Sequence, residues 1–204
     1  MNKEEIFDKE PQDIFKIIPN INTYLQKINK SEYTEIKDNV FVGKNVKIDD
    51  TAVIIGPCLI EDNTTILPYC YIRENVIIGR NCHIGHAVEI KNSIILDEAQ
   101  ISHYNYVGDS IIGYKSHLGA GVIISNLKND NTNIKVNNID THQRKLGTII
   151  YDNVNIGSNS VIYPGTIIKQ NVSIYPLTRV RGFIEENTIV KDEHTIIKKI
   201  DNIV

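Results

Sequence analysis

Val42-Gly43-Lys44-Asn45-Val46-Lys47-Ile48-Asp49-Asp50-Thr51-Ala52-Val53-Ile54 opens a six-residue repeat that decides the fold. Val42, Ile48 and Ile54 stand six apart, and the series runs on through Ile60, Ile66, Ile72, Ile78, Ile84 and Ile90 to Leu96. Four residues after each stands a second inward-type residue: Val46, Ala52, Cys58, Thr64, Cys70, Val76, Cys82, Val88 and Ile94. A chain that turns a corner every six residues produces this pattern, and the period predicts a parallel β-helix. Three hexads make one triangular coil of about eighteen residues. Residues one coil apart then stack about 4.8 Å from each other, so spacing in sequence becomes position in space.

The repeat covers roughly residues 36–185, so the chain is mainly β. A polar stretch, 128–148, interrupts it as an inserted loop. It resumes at Ile150, Ile156, Ile162, Ile168, Ile174 and Val180. Residues 1–35 fall outside the frame. Ile14, Phe15, Ile17 and Ile18, then Tyr24, Leu25 and Ile28, are spaced like helix faces, with Pro11 and Pro19 limiting them to short helices. This segment is expected to cap the first open coil, whose strand edges are otherwise unpaired. The tail, 186–204, with Ile196, Ile197 and Ile200, is expected to form a second cap. Asn45, Asn63, Asn75, Asn81, Asn153, Asn159 and Asn171 fall at corners, and Gly43, Gly79, Gly85, Gly113, Gly119 and Gly157 follow inward aliphatics. Both types tolerate positive φ. Isoleucine followed by such corners resembles the left-handed class of parallel β-helix.

A net charge of -3 over 204 residues gives no reason to expect nucleic-acid binding. Met1-Asn2-Lys3-Glu4-Glu5 has no apolar signal core, and no apolar run approaches membrane-spanning length, so a cytoplasmic protein without membrane contact is expected. Cys58, Cys70 and Cys82 all occupy the small inward slot and are expected to be buried core residues.

The frame slips after Leu96. The next aliphatics, Ile101 and Val107, come one residue early, and Ile112, Leu118 and Ile124 one earlier again. A regular solenoid has no folding reason to slip twice within one coil, and breaks in a local rule tend to mark functional places. Arg73 follows Ile72 and Lys91 follows Ile90, one coil apart, so two cations are expected side by side on one face. Cations that close repel unless an anion joins them. His86 and His103 each lie two residues past the stacked pair Ile84 and Ile101. A stacked pair suits a metal, whereas one histidine near a carboxylate suits a general base. Glu89 stands just past that corner, within expected reach of His103.

The stretch Pro68-Tyr69-Cys70-Tyr71-Ile72-Arg73, then Val88-Glu89-Ile90-Lys91, then His103-Tyr104-Asn105-Tyr106-Val107-Gly108-Asp109, resembles a known family. Gly119-Ala120-Gly121, Ser125-Asn126 and Arg144-Lys145-Leu146-Gly147-Thr148-Ile149-Ile150 extend the match over about residues 50–185. The family is the left-handed β-helix acetyltransferase half of bifunctional sugar-1-phosphate nucleotidylyltransferase/glucosamine-1-phosphate acetyltransferases. The resemblance implies His103 as general base with Glu89 as its orienting partner. It implies Arg73, Lys91 and Tyr106 on the sugar phosphate and Asn126 near the sugar nitrogen. Ser158 matches a position near the acetyl-CoA thioester. Arg144, Lys145, Arg179 and Arg181 are candidates for the phosphates of acetyl-CoA. His117 stands where the family usually has asparagine, in a substrate-binding position. No nucleotidylyltransferase domain is expected before the β-helix.

The resemblance thus implies an acetyl-CoA-dependent N-acetyltransferase acting on an amino sugar phosphate, without a metal, as a homotrimer in which the 128–148 loop reaches a neighbour. Two other readings stay open. One is a γ-carbonic-anhydrase-like metal enzyme using His83, His86, His103 or His117. The other is a catalytically silent sugar-phosphate-binding scaffold that partners a separate nucleotidylyltransferase.

Overall fold

The computed structural model describes residues 6, 7, 9 and 11–199. Met1–Glu5 and Ile200 therefore lie outside the described residues. The chain winds into a left-handed parallel β-helix with three flat faces. Eight parallel strands stack on the first face, from Val40–Val42 to Phe183–Ile184. Eight stack on the second, from Lys47–Ile48 to Thr188–Val190, and seven on the third, from Val53–Ile54 to Arg179–Val180. The coils number eight, not the seven or so that the unbroken repeat suggests. The extra turn hides where Ile184 pairs with Ile168 and Val190 with Ile174, each only sixteen residues on.

The inward ladders hold the prism together. Ile60, Ile66, Ile72, Ile78, Ile84 and Ile90 are fully buried, and each such side chain contributes about 1.5–3 kcal/mol by leaving water. Cys58, Cys70 and Cys82 occupy the inward slot, buried and free. Burial pushes the Cys58 and Cys82 thiols up to about 12. Thr64 meets its polar obligation inside the same slot: its hydroxyl donates to Gly79 O (2.7 Å) and accepts from Cys82 N (2.9 Å).

The seven corner asparagines all adopt the left-handed conformation, with φ between 55° and 60°, the region that asparagine tolerates better than most residues. The six glycines do something else. None of them has positive φ; they are needed because the next coil leaves no room. A Cβ on Gly85 would sit 1.3 Å from Ser102 O, and one on Gly157 would sit 2.4 Å from Pro176 N.

Strands on the first face carry an apolar residue outward as well as inward. Phe41, Leu59, Ile77, Ile94, Ile111, Ile149 and Ile167 form an outer row. The N-terminal segment, with helical turns α1 (Pro11–Ile14) and α2 (Ile21–Leu25), lies on this row and buries Ile14, Phe15, Ile18, Ile21 and Leu25 there. It is a cover along one face, not a lid over the first coil. The edge is met instead by Thr34–Lys37, which pairs antiparallel with Val40–Val42. At the far end Ile196–Lys198 pairs antiparallel with Thr188–Val190.

The same outer row corrects the position of the first slip. Ser93, Ile94 and Ile95 pair with Val76, Ile77 and Ile78. Ile95 therefore points inward, while Ile94 and Leu96 belong to the outer cluster. The first lost residue falls at Lys91-Asn92-Ser93, where the third face turns into the first. The second falls at Gly108-Asp109-Ser110, the same corner one coil on, as Ile95 stands beside Ile112. Serine fills the inward slot of both short corners. Ser93 Oγ donates to Lys91 O (2.7 Å) and accepts from Ser110 N (3.1 Å). Ser110 Oγ donates to Gly108 O (2.7 Å) and accepts from Thr148 N (3.0 Å). The inserted loop leaves the next turn of this corner and returns in register, with Ile112 beside Ile150. It contains a hairpin, Lys135–Val136 with Ile139–Asp140, and packs Ile134, Val136 and Leu146 onto its own chain's outer cluster.

Candidate active site

The third face places the cations as stacking requires. Ile72 pairs with Ile90, and Arg73 N donates to Ile90 O (2.8 Å), so Arg73 and Lys91 occupy neighbouring strands. Their repulsion is met by carboxylates of the same chain. Arg73 Nη1 lies 3.2 Å from Glu89 Oε1, and its Nε lies 3.9 Å from Glu74 Oε2. The hydrogen bond to Glu89 raises the Arg73 pKa. The guanidinium also sits 5.8 Å from the centre of the Tyr71 ring. Lys91 Nζ lies 3.5 Å from Asp109 Oδ2.

Asp109 is the buried hub of this face, with 5% of its side chain exposed. Its left-handed conformation (φ 51°) at the second short corner turns the carboxylate back over the third face. There it accepts from Asn92 Nδ2 (2.7 Å), from Lys91 and, through a short contact, from Asn126 Nδ2. Asn126 Nδ2 also donates to the Tyr106 hydroxyl (3.1 Å). Burial raises the Tyr106 pKa, the nearby Asp109 charge adds to it, and the Asn126 hydrogen bond works against it. Gly108 lies beneath this group. A Cβ there would fall 2.5 Å from the Tyr106 hydroxyl and 2.8 Å from Asn126 Nδ2. Arg73, Lys91, Tyr106 and Asn126 are thus brought together, and Glu89 joins them through Arg73.

The corner between the second and third faces is separate. Ile101 stacks on Ile84, as the slip arithmetic requires. His103 is exposed there and makes no hydrogen bond to Glu89. The orienting role expected of Glu89 is not seen, because Glu89 stands diagonally across from Arg73, which takes its carboxylate. The His86 ring does not join His103 either. It packs edge-on against Tyr69 (5.5 Å) and Tyr104 (5.1 Å). Among the described residues no group of three or more His, Cys, Asp or Glu side chains is placed to hold a metal ion. Along this corner the backbone N–H groups of His103, Ala120 and Ser158 have no partner among the described residues. His117 faces outward on the second face, between Ser102 Oγ (2.9 Å) and Asn155 Oδ1 (3.0 Å).

The inserted loop overhangs the third face and forms a groove of about 760 Å³ lined by Ser125, Leu127, Lys128, Lys135, Tyr163 and Arg181, among others. Arg181 stacks on Tyr163, 5.5 Å from the ring centre. Arg144 instead donates to Asn131 O within the loop (3.1 Å), and neither it nor Lys145 lines the groove. Ser158 also lies apart from it, beside Gly119, where an added Cβ would be 3.0 Å from Ser158 Oγ. Asp109, Asn92 and Gly108 carry no role that the sequence alone assigns. Their signal was the pair of short corners, the first of which counting had put one corner too late.

Comparison with known proteins agrees with this architecture. Residues 54–143 match the family model described as the GMPPB C-terminal domain, and residues 147–174 match the hexapeptide repeat of succinyl-transferase. The bifunctional protein GlmU of Methanococcus maripaludis (strain C7) is 46% identical over 189 residues, covering 87% of this chain and 46% of the relative. A bifunctional sugar-1-phosphate nucleotidylyltransferase/acetyltransferase of Sulfurisphaera tokodaii is 42% identical over 96 residues, covering 45% of this chain and 24% of the relative. The chain spans at most about half the length of these relatives. A point mutant of AntD, an N-acyltransferase from Bacillus cereus solved with dTDP and coenzyme A, shares the fold. Its TM-score is 0.51 at 22% identity, covering 82% of this chain and 90% of that one.

Proposed function

Taking as premise that the chain is a hexapeptide-repeat left-handed β-helix protein, similar to half of a GlmU protein, we propose that it is an acetyl-CoA-dependent N-acetyltransferase acting on an amino sugar phosphate. The observation that carries this reading is the convergence of Arg73, Lys91, Tyr106 and Asn126 on adjacent strands of one face. The two cations hold the acceptor's phosphate in place of the weaker part of their present contacts with Glu89 and Asp109. Tyr106 and Asn126 meet the sugar. Placement by a remote phosphate fixes the amine relative to the thioester and removes the entropic cost of bringing them together.

An amine attacks a thioester only when neutral, so a base near neutral pKa is required, and His103 supplies it. The nitrogen–carbon bond forms first, and the carbon–sulfur bond breaks as the tetrahedral intermediate collapses. The amine proton passes to His103, which hands it on to the departing sulfur, so that coenzyme A leaves as the thiol. The unpartnered N–H groups along the His103, Ala120 and Ser158 corner are suited to the oxyanion of the tetrahedral intermediate. The groove beneath the loop, with Lys128, Lys135 and Arg181, suits the coenzyme phosphates. Of the four candidates for the coenzyme phosphates, Arg181 alone lines that groove, which supports it over the others. A homotrimer would bring the His103 corner of one subunit against the third face of the next.

The test is a screen of phosphorylated and plain amino sugars with acetyl-CoA, following free thiol. Acetylation of a phosphorylated amino sugar, with the plain sugar a poor acceptor, supports the proposal. Binding of acetyl-CoA in a thermal shift without any transfer would leave the scaffold reading in its place.

A further inference from the structure

Both hydrogens of the Asn126 amide are already committed. Nδ2 donates to the Tyr106 hydroxyl (3.1 Å) and to Asp109 Oδ2. Asp109 is the acceptor here, its carboxylate already taking donors from Lys91 and Asn92. The amide therefore has one orientation in which its hydrogen bonds are satisfied. That orientation leaves Oδ1, an acceptor, as the atom free to meet a ligand. Gly108 permits the arrangement, because any side chain there would push Tyr106 and Asn126 apart. Asp109 stands at the second short corner, where its left-handed conformation (φ 51°) turns the carboxylate back over the third face.

We propose that Asp109 is a positioning residue that sets what the site recognises: by fixing the Asn126 amide with its oxygen outward, it commits the site to a hydrogen-donating amine on the acceptor. This deepens the proposed acetyltransferase reading and rests on it. Asp109 does not itself face the ligand. Its two oxygens are occupied and its side chain is buried. An amine offers two or three hydrogens to Oδ1, and an ammonium gains further from a carbonyl dipole. Were the amide free to rotate, Nδ2 would turn outward and favour an acceptor atom such as an ether or hydroxyl oxygen.

The test uses the full chain and the nearly isosteric variant Asp109→Asn, which keeps the shape but can donate to Asn126 and so allows its amide to turn. Two measurements are made. The first is the Asn126 side-chain amide signal in ¹H–¹⁵N spectra, assigned by its loss in Asn126→Asp. The wild type is expected to show one strongly downfield, slowly exchanging Asn126 proton, and Asp109→Asn to lose that character. The second is kcat/KM for an amino sugar phosphate against its hydroxyl analogue. The preference for the amine is expected to fall roughly tenfold or more, the scale of one misdirected hydrogen bond, with the KM for acetyl-CoA unchanged. A purely structural role would not move that ratio. An unchanged Asn126 signal overturns the positioning role. A changed signal with unchanged preference overturns the specificity role. Absence of transfer by the wild type to any amino sugar overturns the acetyltransferase reading alone, and the amide signal still decides the positioning.

Discussion

Gly108→Ala separates the scaffold from the chemistry. The added methyl would lie 2.5 Å from the Tyr106 hydroxyl and 2.8 Å from Asn126 Nδ2, against an ordinary contact of 3.4 Å or more. The Tyr106 and Asn126 side chains must therefore move outward by 0.9 Å and 0.6 Å at least. Both atoms are the far ends of side chains, so the strand can stay where it is. Alanine is also the better strand residue by about 0.5–1 kcal/mol, which offsets part of the crowding. The melting temperature should change by no more than about 3 °C, given roughly 2–4 °C per kcal/mol for a chain of this size. Turnover should fall much further. A misplacement of about 1 Å costs on the order of 10²-fold, and the loss should appear in kcat/KM for the acceptor, not in the KM for acetyl-CoA. The assay is thiol release under steady state, with a thermal melt on the same preparation. Gly85→Ala is the control, because its methyl would land 1.3 Å from a backbone oxygen, Ser102 O. That substitution should lower the melting point by roughly 6–12 °C, or about 3 kcal/mol. Wild-type turnover in Gly108→Ala would remove Tyr106 and Asn126 from the site. A melting loss as large as that of Gly85→Ala would show that the strand, not the side chains, yields.

Other outcomes follow from the same geometry. His103→Ala should lower kcat by about 10²–10⁴-fold, the usual range for a general base, while acetyl-CoA binding measured by calorimetry stays the same; undiminished turnover would dismiss His103. Arg73→Ala and Lys91→Ala should each raise the acceptor KM more for phosphorylated than for plain amino sugars, and equal effects on both would end the phosphate assignment. With the Cys58 and Cys82 thiols pushed up to about 12 by burial, a disulfide reagent at pH 8 should leave both unreacted in the native protein and label them only in denaturant. Rapid native labelling of Cys58 or Cys82 would contradict the packing of the inward slot.

The ladder was legible because its code is local: an isoleucine every six residues and an asparagine where φ must be positive. The stacking of Ile72 on Ile90 followed from counting alone, and so did the meeting of Arg73 and Lys91. The outer row of the first face was not legible as such. Leu59 or Ile77, standing next to an inward isoleucine, looks like any β-rich position until its covering segment is known. That row also misled the count at Leu96, which sits at the right interval for the repeat but faces the other way. The Glu89–Arg73 pair was within reach of the same arithmetic. Glu89 lies on the strand next to Tyr71, two residues from Arg73, whereas His103 lies on another corner. Asp109 was harder. Its role depends on Asn126, seventeen residues ahead, and on a corner whose shortness shows only when the strands are laid side by side.

Every departure from the six-residue count lies along one of the three edges of the prism. The short corners at Asn92 and Asp109, the inserted loop, and the compressed turn at Arg181-Gly182-Phe183 all join the third face to the first. The other two edges keep their count from Val42 to Val190. A change of length at that one edge moves no ladder, because the three faces above it simply advance together; Ile112, Leu118 and Ile124 all meet partners thirty-eight residues on. The molecule thus behaves like a bound book, with two edges stitched and one left open for new pages. Loops of other lengths and compositions should be graftable between Asn126 and Gly147, giving a set of chains with one spine and different grooves over the third face.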